Sequence, residues 1–209
     1  TGGLISAIAC DVTDIDQIET TFQKLIDDHG RIDILVNNAG TSSASPFDET
    51  SDDVWDYDIE LKVYGAIRCS RIAVEHMKNQ GGGRIVNITT PGGKAPGPSS
   101  VPTSVSRAAG IALTKAMSKD LASDNILVNT VGVGLIKSGQ HRRRWEKINE
   151  QDANVSLDDF YEDMGSRVPM GRVGEAKEVG SVVAFLVSDR GSYVTGASIN
   201  VDGGTSPVV

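Results

Sequence analysis

The sequence predicts an α/β fold of the doubly wound kind, a parallel sheet covered by helices on both faces, in a single domain over residues 1–209. Three observations predict it. Apolar runs of strand length, IDILVNNAG, RIVNIT and ILVNTVG, alternate with longer segments of helical period. Their residues are apolar in succession instead of at every second position, the pattern of strands buried on both faces. A chain of 209 residues is also long enough for one sizeable core, and its composition asks for no second one.

Each element follows in order. Leu4 to Cys10 is a short apolar run closed by Asp11, which reads as a strand. Ile15, Ile18, Phe22, Leu25 and Ile26 then fall at helical spacing, with Thr13 and Asp16 resembling a capping box and Gly30 suited to the left-handed turn that ends a helix. The run at 32–36 is the next strand. SDDVWDYDIELKVYGAIRCSRIAVEHMK has the length and period of one long helix, with Ser51, Asp52 and Asp53 at its positive end. A strand at 84–89 leads into a Gly/Pro-rich loop from Thr90 to Pro102, and a helix follows to about Ser123. After a strand at 126–132, residues 135–168 lose the rhythm, being polar and charged, and mark an insertion long enough to be functional. Glu175 to Ser188 returns to helix, and ASINVDGG closes with a strand. There is no repeat and no low-complexity tract.

Composition narrows the partners. A net charge of -8 argues against nucleic acid and anionic membranes, because phosphate contacts need a positive face. Small molecules or other protein chains are the expected partners. Cys10 and Cys69 are too few and too far apart in sequence for a disulfide framework, and read as reduced core thiols in a cytoplasmic protein. The apolar runs fall far short of a membrane span. His29, His76 and His141 share no metal-ligand spacing, so no metal is expected.

Doubly wound sheets bind ligands beyond the carboxyl ends of their strands, which directs attention to Asp11, Asn37 to Gly40, Thr89 to Gly93 and Val133 to Ser138. With Asp11-Val12, the NNAG of Asn37 to Gly40, RIVNIT, and the closing PMGRVGEAKEVGSVVAFLVSD and YVTGASINVDGG, the chain resembles the short-chain dehydrogenase/reductase family along essentially its whole length. The resemblance implies a nicotinamide cofactor, NAD or NADP, and a carbonyl or alcohol substrate. It also implies cofactor contacts at Asp11, Val12, Asn37, Ala39, Gly40, Ile88, Arg107, Gly134, Ile136 and Ser138. The SINVDGG segment resembles the family's subunit-contact region, which implies a homodimer or homotetramer.

Two departures stand against that pattern. The family's opening strand, Gly-rich turn and helix, and its second strand and helix, are not matched in this chain. Gly2-Gly3 precedes a strand instead of following one, so it is no phosphate loop. The expectation is that roughly fifty residues precede Thr1 in the natural protein, as two βα units require, the alternative being a truncated paralogue. Strands of those units would lie between the Leu4 to Cys10 strand and the strand at 32–36.

The second departure is chemical. On the family pattern the Ser falls on Thr90, the Tyr on Thr103, the Lys on Arg107 and the supporting helix Asn on Lys62. Thr90 keeps a hydroxyl. Thr103 lacks the tunable acidity of a phenol, and Arg107 keeps a charge without being an interchangeable lysine. The four tyrosines, Tyr57, Tyr64, Tyr161 and Tyr193, lie outside the segment, Tyr64 reading either as a packing residue of the long helix or as one that reaches the pocket. Bland alternatives accompany the cofactor positions: Asp11 as a turn cap, Asn37 as a partner for strand-end backbone. His141 to Lys147, HRRRWEK, reads either as a solvated face or as a lid whose Arg142 to Arg144 recognise an anionic substrate. Three functions follow: an NAD(P)-dependent oxidoreductase with impaired or unconventional catalysis, a non-catalytic binding or assembly subunit, or dehydratase or cyclase chemistry in the same pocket.

Overall fold

The computed structural model describes residues 5–151 and 155–209. Four strands form one parallel sheet in sequential order: β1 (Ile34–Asn37), β2 (Gly83–Thr89), β3 (Ile126–Val133) and β4 (Ser198–Val201). Register is fixed by pairs such as Ile34 with Arg84, Ile85 with Val128 and Val131 with Ile199. The helices are α1 (Ile15–His29), α2 (Asp52–Ile59), α3 (Gly65–Asn79), α4 (Thr103–Asp120), α5 (Gly139–Gln151), α6 (Leu157–Ser166) and α7 (Ala176–Val187). The α/β architecture matches the expectation.

Alternation along the central strands separates two cores. Ile85, Ile126 and Val128 face α1, α3 and α4, where Phe22, Ala73, Met77 and Leu121 meet them. Val86 and Val131 face the opposite way and pack on Leu186 and the valines of α7. Helices therefore cover both faces, and β2 and β3 are buried almost throughout. A smaller cluster of Phe160, Met164 and Val173 with Trp145 and Leu157 holds the insertion together.

Several expectations need correction. Leu4, with Gly2-Gly3, lies outside the described residues, and Ile5 to Cys10 form no strand: Ile5 is 92% and Ile8 39% exposed. An extended run becomes a strand only when its backbone groups find a neighbour, and none is paired with this one. The N-cap of α1 is Asp14, whose carboxylate accepts from the Gln17 N–H at 3.1 Å, so Thr13 and Asp16 form no capping box. Thr13 serves Asp11 instead. Gly30 does end the helix with φ 73°. The long helix predicted over 51–78 is interrupted between α2 and α3 by a π-helical turn, Glu60–Tyr64. The aperiodic insertion contains two helices, α5 and α6.

Candidate active site

The carboxyl ends of β2 and β3, the loop after β1, and the starts of α4 and α5 enclose a cleft of about 1040 Å³. A smaller cavity of about 200 Å³ lies beside it, between α3, α4 and the end of β1. Between the two sits a group of buried polar side chains. Lys62 projects from the π turn and forms an ion pair with Asp58, one helical turn earlier, and both side chains are almost wholly sequestered. The π turn inserts an extra residue into the helical register at this point, as such turns frequently do at functional sites. The other Asp58 oxygen accepts from Ser106 Oγ of α4 at 2.6 Å.

Thr103, the first residue of α4, joins this group. Its Oγ1 accepts from Lys62 Nζ at 3.2 Å and from the Ser43 N–H at 2.9 Å, and it lies 3.5 Å from Asp58 Oδ1. One turn on, Arg107 donates from Nη1 to the Ile88 carbonyl at 2.8 Å, which holds its guanidinium against the end of β2. Burial pushes the Arg107 pKa down, opposed by the charge of Asp58. Burial also lowers that of Lys62, against the hydrogen bond and charge of Asp58, with Arg107 adding to the depression. Three of the four residues read as catalytic positions, Thr103, Arg107 and Lys62, are thus brought together. Thr90 lines the same cleft as Thr103 and Arg107, without a side-chain bond to either among the described residues.

The positions read as cofactor contacts divide. Gly40 lies against Arg107: a Cβ there would sit 2.8 Å from Nη2, so the guanidinium end would have to shift to admit one. Ile88 supplies the carbonyl that holds Arg107. Gly134, Ile136 and Ser138 line the far wall, where a Cβ on Gly134 would fall 2.6 Å from Asp202 Cα. Ser138 Oγ accepts from the His141 N–H at 3.3 Å and so starts α5. Val12 and Ala39 line the small cavity. Asn37 spends its amide on Asn87 Oδ1, 2.8 Å, and Ser70 Oγ, 3.1 Å. Asp11 caps its own turn, accepting from both the Thr13 N–H at 2.9 Å and the Thr13 hydroxyl at 2.8 Å, and these bonds lower its pKa. The bland reading of Asp11 as a turn cap therefore describes bonds that exist, whereas Asn37 bonds two side chains and not the strand-end backbone expected of it.

Two buried polar atoms of the cleft wall, Thr89 Oγ1 and Arg107 Nε, have no partner among the described residues. Orphaned groups of this kind in a concave site mark where a ligand's hydrogen bonds would go. Arg142, Arg143 and Arg144 are exposed and do not line the cleft, whereas His141 does, with an unpartnered buried Nδ1. Burial, then Arg144, lowers the pKa of His141, which favours its neutral imidazole. Tyr64 is half-exposed under the Arg68 guanidinium and reaches neither cavity. Sequence reasoning missed Asp58, Ser106 and His141. The spacing of Asp58 and Lys62 was the available signal, but it equally describes a surface pair on a helix.

Known proteins resemble this one over nearly its whole length. A family described as Enoyl-(Acyl carrier protein) reductase matches residues 2–206. The 3-oxoacyl-[acyl-carrier-protein] reductase FabG of Thermotoga maritima is 36% identical over 202 residues, covering 97% of this chain and 77% of the relative. Among solved structures, L-sorbose reductase from Gluconobacter frateurii, complexed with NADPH and L-sorbose, superposes with a TM-score of 0.91 at 28% identity, over 97% of this chain and 77% of that one. NAD+-bound xylitol dehydrogenase gives 0.82 at 32% identity, over 94% and 78%. With these matches spanning the sheet, the cleft and the insertion, the chain belongs to the short-chain dehydrogenase/reductase family.

Proposed function

We propose that the protein is an NAD(P)-dependent oxidoreductase that interconverts the carbonyl and alcohol forms of a small substrate, with proton transfer arranged differently from the family pattern. The observation that carries the reading is Arg107. Its guanidinium lies at the strand ends beside Gly40, and its Nε, like Thr89 Oγ1 in the same cleft wall, has no partner among the described residues. These groups suit the hydroxyls of a nicotinamide riboside, and the NADPH- and NAD+-bound relatives support NAD(P) as the cofactor. Arg107, Gly40, Thr89, Ile136 and Ser138, which line the same cleft, would hold the cofactor. When bound, the cofactor supplies hydride; the protein orients the two reactants and moves the proton.

A phenol's proton is not available at residue 103. Losing a positioned acid slows such a step by roughly 10²- to 10⁴-fold, so the ordinary route is slow here. That fact favours a second reading, a binding or assembly subunit without turnover. Titration of NADPH and NADH into the purified protein, followed by fluorescence, tests the first. Saturable binding is expected, weakened about 10- to 100-fold in Arg107→Met, as loss of hydrogen bonds from a charged donor implies. Absence of saturable binding to either cofactor would sink the oxidoreductase reading. Thr103→Tyr with Arg107→Lys then separates the two readings, since faster turnover means that only the acid was lacking.

A further inference from the structure

We propose that Lys62 and Thr103 form a two-step proton relay into the cleft, with the Thr103 hydroxyl as the catalytic donor and Lys62, behind it, as the residue that positions and replenishes its proton. The inference rests on the oxidoreductase reading. Its basis is the hydrogen bonding of one oxygen. A hydroxyl has two acceptor sites and one proton to give. At Thr103 Oγ1 the acceptor sites are filled by the Ser43 N–H at 2.9 Å and by Lys62 Nζ at 3.2 Å. The proton must therefore point to an acceptor. Within the protein the available one is Asp58 Oδ1 at 3.5 Å, at the limit of a hydrogen bond and already engaged by Lys62. On the other side is the cleft, which Thr103 lines with Arg107 and Thr90. A substrate oxygen there would be the better acceptor.

Lys62 is placed to refill that hydroxyl. Facing its ammonium are Asp58 from its own helix and Arg107 from α4, while the thiols of Cys10 and Cys69 line the small cavity on its far side. Burial pushes the Cys69 thiol up to about 11, so it stays neutral and adds no charge. Burial and Arg107 together make the Lys62 proton easier to release than that of a solvated lysine. In reduction, the reduced nicotinamide cofactor would supply hydride to the substrate's carbonyl carbon, and the substrate oxygen takes the Thr103 proton. The Oγ1–H bond breaks as a new one forms to a proton from Lys62 Nζ. Neutral Lys62 amine remains and regains a proton from water in the small cavity that it lines. Alcohol oxidation runs the same transfers backward, ending with the proton on the amine.

The test combines NMR titration of the Lys62 amine with the pH profile of single-turnover reduction, in the unaltered protein and in Thr103→Val and Thr103→Ser, with cofactor affinity measured in parallel. The relay predicts that Lys62 titrates below the ordinary lysine value of 10.5. It predicts an alkaline loss of rate at that same pH, since reduction needs the protonated amine. Thr103→Val should slow the step by roughly 10²- to 10⁴-fold, and Thr103→Ser, which keeps the hydroxyl, should restore most of the rate. A valine variant as fast as the unaltered protein, or an alkaline limb unrelated to the Lys62 titration, overturns the relay and leaves the oxidoreductase reading standing. A protein that binds no cofactor, or binds it and never oxidises it, removes that reading and the relay together.

Discussion

At the residue scale, the Asp58–Lys62 pair is where this site is most exposed to damage. Asp58 has no accessible surface, and besides Lys62 it has the Ser106 hydroxyl and the distant Thr103 hydroxyl for company. A buried pair is a weak source of net stability, yet removing one member leaves the other charged and unpaired. Lys62→Met should therefore cost about 3–5 kcal/mol, measured by urea denaturation, and adding Asp58→Leu should recover most of it. A single variant within ~1 kcal/mol of the unaltered protein, the range of an exposed pair, would mean that solvent reaches Asp58. Thr90, Thr103, Arg107 and Lys62 could be marked in the sequence because the resemblance to the family pattern lines them up with its Ser, Tyr, Lys and Asn. Asp58 and Ser106 could not, because one carboxylate among many on an acidic helix carries no sign of which way it faces.

At the element scale, legibility followed how strongly each segment's periodicity was tied to burial. β2, β3, α4 and α7 were plain because two covered faces leave little latitude in their composition. The π turn of Glu60–Tyr64 was hidden, since one extra residue in a long helix shifts the apolar period too little to register. Ile5 to Cys10 misled for the opposite reason: composition favours a strand, but pairing decides one. The start of α7 offers a pH test. Glu178 accepts both guanidinium donors of Arg172, at 2.7 and 2.8 Å, and the Glu175 N–H at 2.8 Å. Those bonds, Arg172 first, hold a carboxyl that ordinarily titrates near 4.5 at about 2. A depressed acid stabilises the fold fully above its unfolded value and loses that contribution as the pH falls through its folded one. Glu178→Gln should flatten the decline in urea midpoint between pH 4.5 and 2, and an unchanged slope would show that the bonds do not persist in solution.

At the scale of the whole molecule, the sheet of the described residues ends at β1 on one side and β4 on the other. β1 exposes Ile34 at 48% and Val36 at 39%, and all four residues of β4 are half-buried. The β4 edge, in the segment read as a subunit contact, is the surface on which a homodimer or homotetramer is proposed to assemble, and light scattering should give a mass of two or four chains; a monomer at micromolar concentration contradicts it. The same scale carries the central claim, that a cofactor-binding scaffold has kept its reaction while a lysine and a threonine replace a phenol. Its most direct test is the rate at which bound NADPH or NADH is oxidised by small ketones and ketoses, in the unaltered protein against Thr103→Val. The account predicts measurable turnover that falls at least about 100-fold in the variant. Cofactor that binds tightly and is never oxidised by any carbonyl offered would contradict it, and would make the protein a binding subunit instead.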